Sequence, residues 1–178
     1  MDEKIKEVAT AYAEECFEEE LDLLRELAQI PAPSGHEELR AEFIRDWWLA
    51  QGAPVGAVRI DDAKNVILSL PAGPHARSDG GVAVFAAHTD VVFPESRTRL
   101  LAPGVGDDTA NLVGLMLGGR YLLRHQVPLD RPLLIVANSC EEGLGNLAGT
   151  RELFRHYAGR VAEFTSFDLY LGMHVVSA

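Results

Sequence analysis

Cysteine is scarce: only two, Cys16 and Cys140, occur in 178 residues, in no C-x-x-C or similar spacing. That excludes a disulfide scaffold and a thiolate metal cluster, and two thiols in an acidic chain fit a reducing compartment. Positive charge is also short, with 16 Lys and Arg against 27 Asp and Glu, a formal net charge of −11. A surface of that sign repels phosphate and excludes nucleic acid as a partner. No apolar run approaches the roughly 18–20 residues of a membrane-spanning helix. The longest, around Val82–Ala87 and Leu133–Ala137, are strand-length. The opening Met1-Asp2-Glu3-Lys4 lacks the basic-then-apolar order of a secretory leader. These absences lead to the expectation of a cytoplasmic protein with neither a nucleic-acid nor a membrane partner.

What is present is the composition of a globular domain, 47% hydrophobic and 24% charged. The length suits one domain with a real core and is short for two. From Asp2 to Gln29, Ile5, Val8, Tyr12, Cys16, Leu21, Leu24 and Leu27 recur near helical spacing. The acidic cluster from Glu14 to Glu20 reads as the solvated face of that helix. Ile30-Pro31-Ala32-Pro33-Ser34-Gly35 ends it, because proline cannot continue a helix. A second helix is predicted over Glu37–Gln51, with Leu39, Phe43, Trp47 and Trp48 inward.

Short β-rich runs follow at Val58–Ile60, Asn65–Leu70 and Val82–Ala87, separated by Pro/Gly turns. The last is wholly apolar, as a strand covered on both faces would be. A helix over Asp108–His125, a strand over Leu133–Asn138, a helix over Asn146–Tyr157 and a strand over Leu169–Gly172 complete the pattern. Alternating strands and helices predict an α/β fold, a three-layer sandwich with a mostly parallel sheet.

In such sheets ligands bind beyond the carboxyl ends of the strands. The predicted strands deliver His88-Thr89-Asp90, Ser139-Cys140-Glu141-Glu142 and Met173-His174 to that edge, and Gly104-Val105-Gly106-Asp107-Asp108 opens a helix beside them. Alternate residues of a strand face the same way, so Asp90 can orient the His88 ring as a carboxylate orients a metal-ligating imidazole. The triplet alone fits equally a strand-end histidine capped by a turn aspartate. Adjacent buried glutamates are costly unless a cation or a proton compensates. A metal site would use one as ligand and the other as general base, whereas an isolated Glu-Glu pair also fits a solvated loop. Asp107 could bridge two cations; N-capping is the other reading of this segment and suits Asp108 better.

Taken together, Phe85–Asp90, Ala102–Ala110 and Ser139–Gly145 resemble the M20 family of metallopeptidases and aminoacylases. Ile30–Glu37 looks like that family's N-terminal signature and Asn65-Val66-Ile67 like its following strand. The resemblance implies a zinc-peptidase-like catalytic core holding two Zn²⁺, with Co²⁺ or Mn²⁺ as alternatives. It implies His88 as ligand of one metal, Asp90 as its orienting partner, Asp107 as bridge with a cis peptide bond after it, Glu141 as general base and Glu142 as ligand of the second metal. His174 stands where peptidase T-like members carry an acidic residue and aminoacylase-like members a histidine. It is a further candidate ligand, with strand-end packing as the other reading. His36, His75, His125 and His156 match no ligand position.

The family's lid or dimerisation domain and its final metal-binding histidine come later in the chain and have no counterpart in these 178 residues. Residues 1–178 therefore read as one partial catalytic domain, truncated and without the lid. The expected reaction is hydrolysis of an amide in a short peptide or an N-acyl amino acid, with a homodimer or a missing C-terminal half as further partners. A non-catalytic binding or assembly module, and a related co-catalytic zinc aminopeptidase, are the rival readings.

Overall fold

Helix α1 (Glu3–Gln29) buries Cys16, Leu23, Leu24, Leu27 and Ala28, all from its middle and C-terminal part, and Tyr12 reaches the Leu117 carbonyl of the body from further up. In a computed structural model, residues 3–77, 80–92 and 104–168 and the backbone of 174–176 are described. Pro31 stops α1, and α2 (Glu38–Ala50) turns Arg40, Ala41, Ile44 and Trp48 inward. That stripe steps by three and four residues, one face of a helix. Leu39, expected inside, lies off the stripe and is 63% exposed.

The strands are β1 (Val58–Ile60), β2 (Val66–Leu70), β3 (Val82–His88), β4 (Leu133–Asn138), β5 (Val161–Ser166) and β6 (His174–Val176), in spatial order β1-β2-β4-β3-β5-β6. Helix α3 (Ala110–Arg124) connects β3 to β4, and α4 (Ala148–His156) connects β4 to β5. Both crossovers return the chain parallel, as strand–helix–strand units do. The β4-β3-β5 centre is accordingly parallel, while β1-β2, β2-β4 and β5-β6 are antiparallel. The three layers are as expected, but the sheet is mixed rather than mostly parallel, because short returns build its edges.

Side chains alternate across the sheet as the period of two requires. Leu133, Ile135 and Ala137 join Leu27, Ile44, Trp48, Leu112 and Met116 beneath α1, α2 and α3. Leu134, Val136, Val84 and Ala86 meet Leu153 of α4 and Tyr157 just after it on the other face. Trp48 is 2% exposed, so Trp48→Ala should cost about 3–5 kcal/mol of stability. Urea unfolding reads this, and a change below about 1 kcal/mol would contradict the packing described.

The expected strand over Leu169–Gly172 falls outside the described residues. Strand β5 was not expected: its burial is partial along its length, so its sequence carries neither a buried run nor clean alternation. It pairs with β3 on one side and β6 on the other.

Candidate metal centre

Three parallel strands end at one edge, and the site is built there. His88 closes β3 and is buried, at 3% exposure. Its Nδ1 lies 2.9 Å from the Asp90 main-chain carbonyl and 3.4 Å from Asp90 Oδ1. With Nδ1 so occupied, Nε2 is the nitrogen free to ligate. It lies 3.0 Å from Asp107 Oδ1 and 3.9 Å from both Glu141 Oε2 and Asp168 Oδ1.

The fully buried Asp90 carboxylate has a second task. Its Oδ2 accepts from Ser34 Oγ at 2.6 Å and from the Glu142 N–H at 3.0 Å, and its Oδ1 accepts from the Glu141 N–H at 3.0 Å. Burial opposes its ionisation, but His88, Ser34 and the two backbone donors outweigh that and bring its pKa to about 2. Asp90 thus aims His88 and ties down the turn that bears both glutamates. The strand end itself is anchored by buried Arg40, which donates to Thr89 O at 2.8 Å, Leu27 O at 2.9 Å and Ile30 O at 2.7 Å. Removing one charge-assisted donor by Ser34→Ala should raise the Asp90 pKa and weaken metal binding by about tenfold. Calorimetric titration checks this; unchanged affinity would mean that Ser34 does not support the site.

Asp107 arrives on the irregular turn Val105–Thr109 that enters α3. Gly104 starts the turn with φ +85°, and a Cβ there would lie 2.4 Å from Val91 Cγ1, so both conformation and space demand glycine. The Asp107–Asp108 peptide bond is cis, as the resemblance implies. Asp108 does not cap the helix. It is fully buried, and its carboxylate accepts from the His88 N–H at 2.9 Å and from Asn111 Nδ2 at 2.6 Å. Burial raises its pKa to about 7 against these bonds and the His88 charge.

Glu141 and Glu142 follow β4 and are half-buried. Burial raises the pKa of each; for Glu141 the nearby Asp168, Glu142 and Asp90 charges add to it, and for Glu142 those of Asp107, Asp90 and Asp168, both against His88. Carboxylates crowded at a half-buried edge with one imidazole are a donor set suited to zinc or another divalent ion. Ligand atoms of His88, Asp107 and Glu142 all lie within 4.8 Å of one another, and those of His88, Asp108 and Asp168 form a second such group. The residues present fit a metal.

Burial disfavours the charged imidazole, yet the Asp90 hydrogen bond, the Asp108 charge and Asp107 raise the His88 pKa to about 10. The metal-free ring therefore holds a proton at neutral pH that an incoming cation must displace. Affinity should rise by about tenfold per pH unit from about pH 6 to 9, with one proton released. Calorimetry in buffers of different ionisation heat measures this, and a flat profile would contradict it.

The structure thus brings five of the six expected residues together: His88, Asp90, Asp107, Glu141 and Glu142. The sixth, His174, begins β6 opposite Ser166 rather than ending a strand. An antiparallel β6 still places its backbone at the same edge, and its side chain lies outside the described residues. Asp168, Ser34, Glu37 and Arg40 went unrecognised in the sequence. Asp168 follows β5, so the strand-end rule finds it once β5 is known.

A family model, peptidase family M20/M25/M40, matches residues 84–178, more than half of the chain. The chain belongs to the M20/M25/M40 peptidase family. No curated protein sequence matches it. Among solved structures it is similar to the aminopeptidase PepT of Bacillus cereus, at 20% identity and TM-score 0.64, covering 85% of this chain and 43% of that one. It is likewise similar to Bacillus subtilis YXEP, a dinuclear metal-binding peptidase of the M20 family, at 18% identity and TM-score 0.63, covering 89% of this chain and 44% of that one. An Acidobacteriales bacterium glutaminyl cyclase is similar at 21% identity and TM-score 0.64, covering 84% of this chain and 57% of that one. At these identities the likeness is one of fold, and the chain spans about half the length of these structures or less.

Proposed function

We propose that this chain is the metal-binding part of a catalytic core that hydrolyses an amide bond in a short peptide or an N-acyl amino acid. The observation that carries the reading is His88 Nε2 turned toward Asp107, with Glu142 in the same ligand group and Glu141 beside them. A divalent cation held there, zinc before cobalt or manganese, supplies a Lewis acid that polarises the carbonyl and acidifies water. His88, Asp107 and Glu142 would hold it, with His174 proposed as a further ligand. Asp90 keeps Nε2 pointed inward. Glu141, whose carboxyl is pushed above its ordinary range, takes the proton of the attacking water and passes it to the leaving amine. Cytoplasmic placement, and a partner in the form of a second copy or a C-terminal half, belong to the same reading.

Hydrolysis of dipeptides and N-acetyl amino acids by the zinc-loaded chain, abolished by a chelator, is the expected result. A loaded, folded chain that cleaves none of them would support the second reading, a non-catalytic binding module. The match to the M20/M25/M40 family model speaks against a separate zinc aminopeptidase family.

A further inference from the structure

The segment between α1 and α2, Ser34-Gly35-His36-Glu37, holds a carboxylate that the proposed chemistry does not use. Glu37 is fully buried. Its Oε1 accepts the Gly35 N–H at 2.7 Å and the Cys140 N–H at 3.1 Å, and the Cys140 thiol lies 3.4 Å away. Its Oε2 has no hydrogen-bond partner among the described residues. The nearest positive charge is Lys64 Nζ at 3.7 Å, which also donates to Gly35 O and pairs with Glu38 at 2.7 Å. A buried carboxylate held this way, far in sequence from the site, calls for a reason.

The reason lies in the turn it touches. Cys140 stands between the buried end of β4 and the two glutamates, with φ +53°. Side chains other than glycine rarely occupy that left-handed region, because Cβ crowds the carbonyl. A left-handed residue here swings the chain out of the strand, so that the N–H groups of Glu141 and Glu142 both meet Asp90. The turn is close-packed from the other side too: a Cβ on Gly145 would lie 2.7 Å from Cys140 O. With no glycine at 140, some other group must hold the conformation, and the Glu37 acceptor is in place to do so.

We propose that Glu37 is a positioning residue which, by accepting the Cys140 N–H, fixes the left-handed turn that aims Glu141 and Glu142 at the metal centre. The inference rests on the metal reading for its consequence, though not for the contact itself. Its carboxylate matters by reach, not by charge: an amide oxygen of the same length serves, and a shorter carboxylate does not.

Zinc is titrated into the parent chain, Glu37→Gln, Glu37→Asp and Glu37→Asp/Cys140→Gly, each checked for folding by circular dichroism. Glu37→Gln keeps the acceptor and should bind zinc within about threefold of the parent. Glu37→Asp keeps the charge but stops one methylene short, and should bind about 10- to 100-fold more weakly, as lost support around a metal does. Glycine takes positive φ without penalty, so Cys140→Gly should recover at least about threefold of that loss. Any outcome in which Glu37→Gln does not bind more tightly than Glu37→Asp, or in which Cys140→Gly recovers nothing, overturns the proposal.

Amide exchange at residue 140 is followed without metal in the parent and the two single variants. It should be slow in the parent and in Glu37→Gln, and faster in Glu37→Asp. A parent that binds no zinc would defeat the metal reading alone, and the exchange order would then decide the role of Glu37.

Discussion

Replacing His88 with alanine is expected to weaken zinc binding by about 100-fold or more, the larger figure of the range for supporting residues because this one is itself a ligand. His88 is the residue shared by both clusters of potential ligands, so its loss removes a donor from each. Among the described residues, the imidazole is also the positive group that faces Asp107, Glu141 and Asp168. Without it those carboxylates repel one another, and the protein can relieve the repulsion by protonating them instead of binding a cation. Glu142→Ala should weaken binding less, because it removes a donor from one cluster only. The two variants and the parent are compared by calorimetry at one pH, and equal affinity in all three would remove the centre from this edge of the sheet.

Glu141→Gln is expected to lower amide hydrolysis by about 10²–10⁴-fold, the usual contribution of a general base, while zinc stoichiometry stays as in the parent. The residue lies 3.9 Å from His88 Nε2 and belongs to neither ligand cluster. An amide keeps its shape and loses only the capacity to take a proton. The assay uses whichever of the dipeptides and N-acyl amino acids the zinc-loaded parent cleaves best, with metal content measured on the same samples. Turnover retained in Glu141→Gln would assign the base elsewhere, with Asp168 the next carboxylate at the same distance from His88. Zinc lost along with activity would make Glu141 a ligand.

Most of the site was legible because strand ends in an α/β sheet announce themselves: β3 and β4 are buried on both faces, and His88, Asp90, Glu141 and Glu142 follow directly. Asp168 escaped because β5 is only partly buried and carries neither a buried run nor clean alternation, so its strand, and hence its end, gave no signal. Asp108 was misread for a different reason. An aspartate before a helix usually caps it, but this carboxylate turns back to the His88 N–H, a contact across about twenty residues of sequence that no local rule anticipates. Ser34, Glu37 and Arg40 were of the same kind. They lie in or beside the signature between α1 and α2, and their partners, Asp90, Cys140 and Thr89, come into reach only once the sheet has formed. The mixed sheet was hidden for a topological reason, since pairing direction at the edges is set by which strand a short return reaches.

X-ray absorption at the zinc edge of the loaded chain tests most directly for a zinc site built on the His88 imidazole with Asp107 and Glu142 beside it. The expected first shell is nitrogen and oxygen at about 2.0–2.2 Å without sulfur, lost in His88→Ala. A sulfur contribution at about 2.3 Å, pointing to Cys140 or Cys16, or a shell unchanged in His88→Ala, would contradict it.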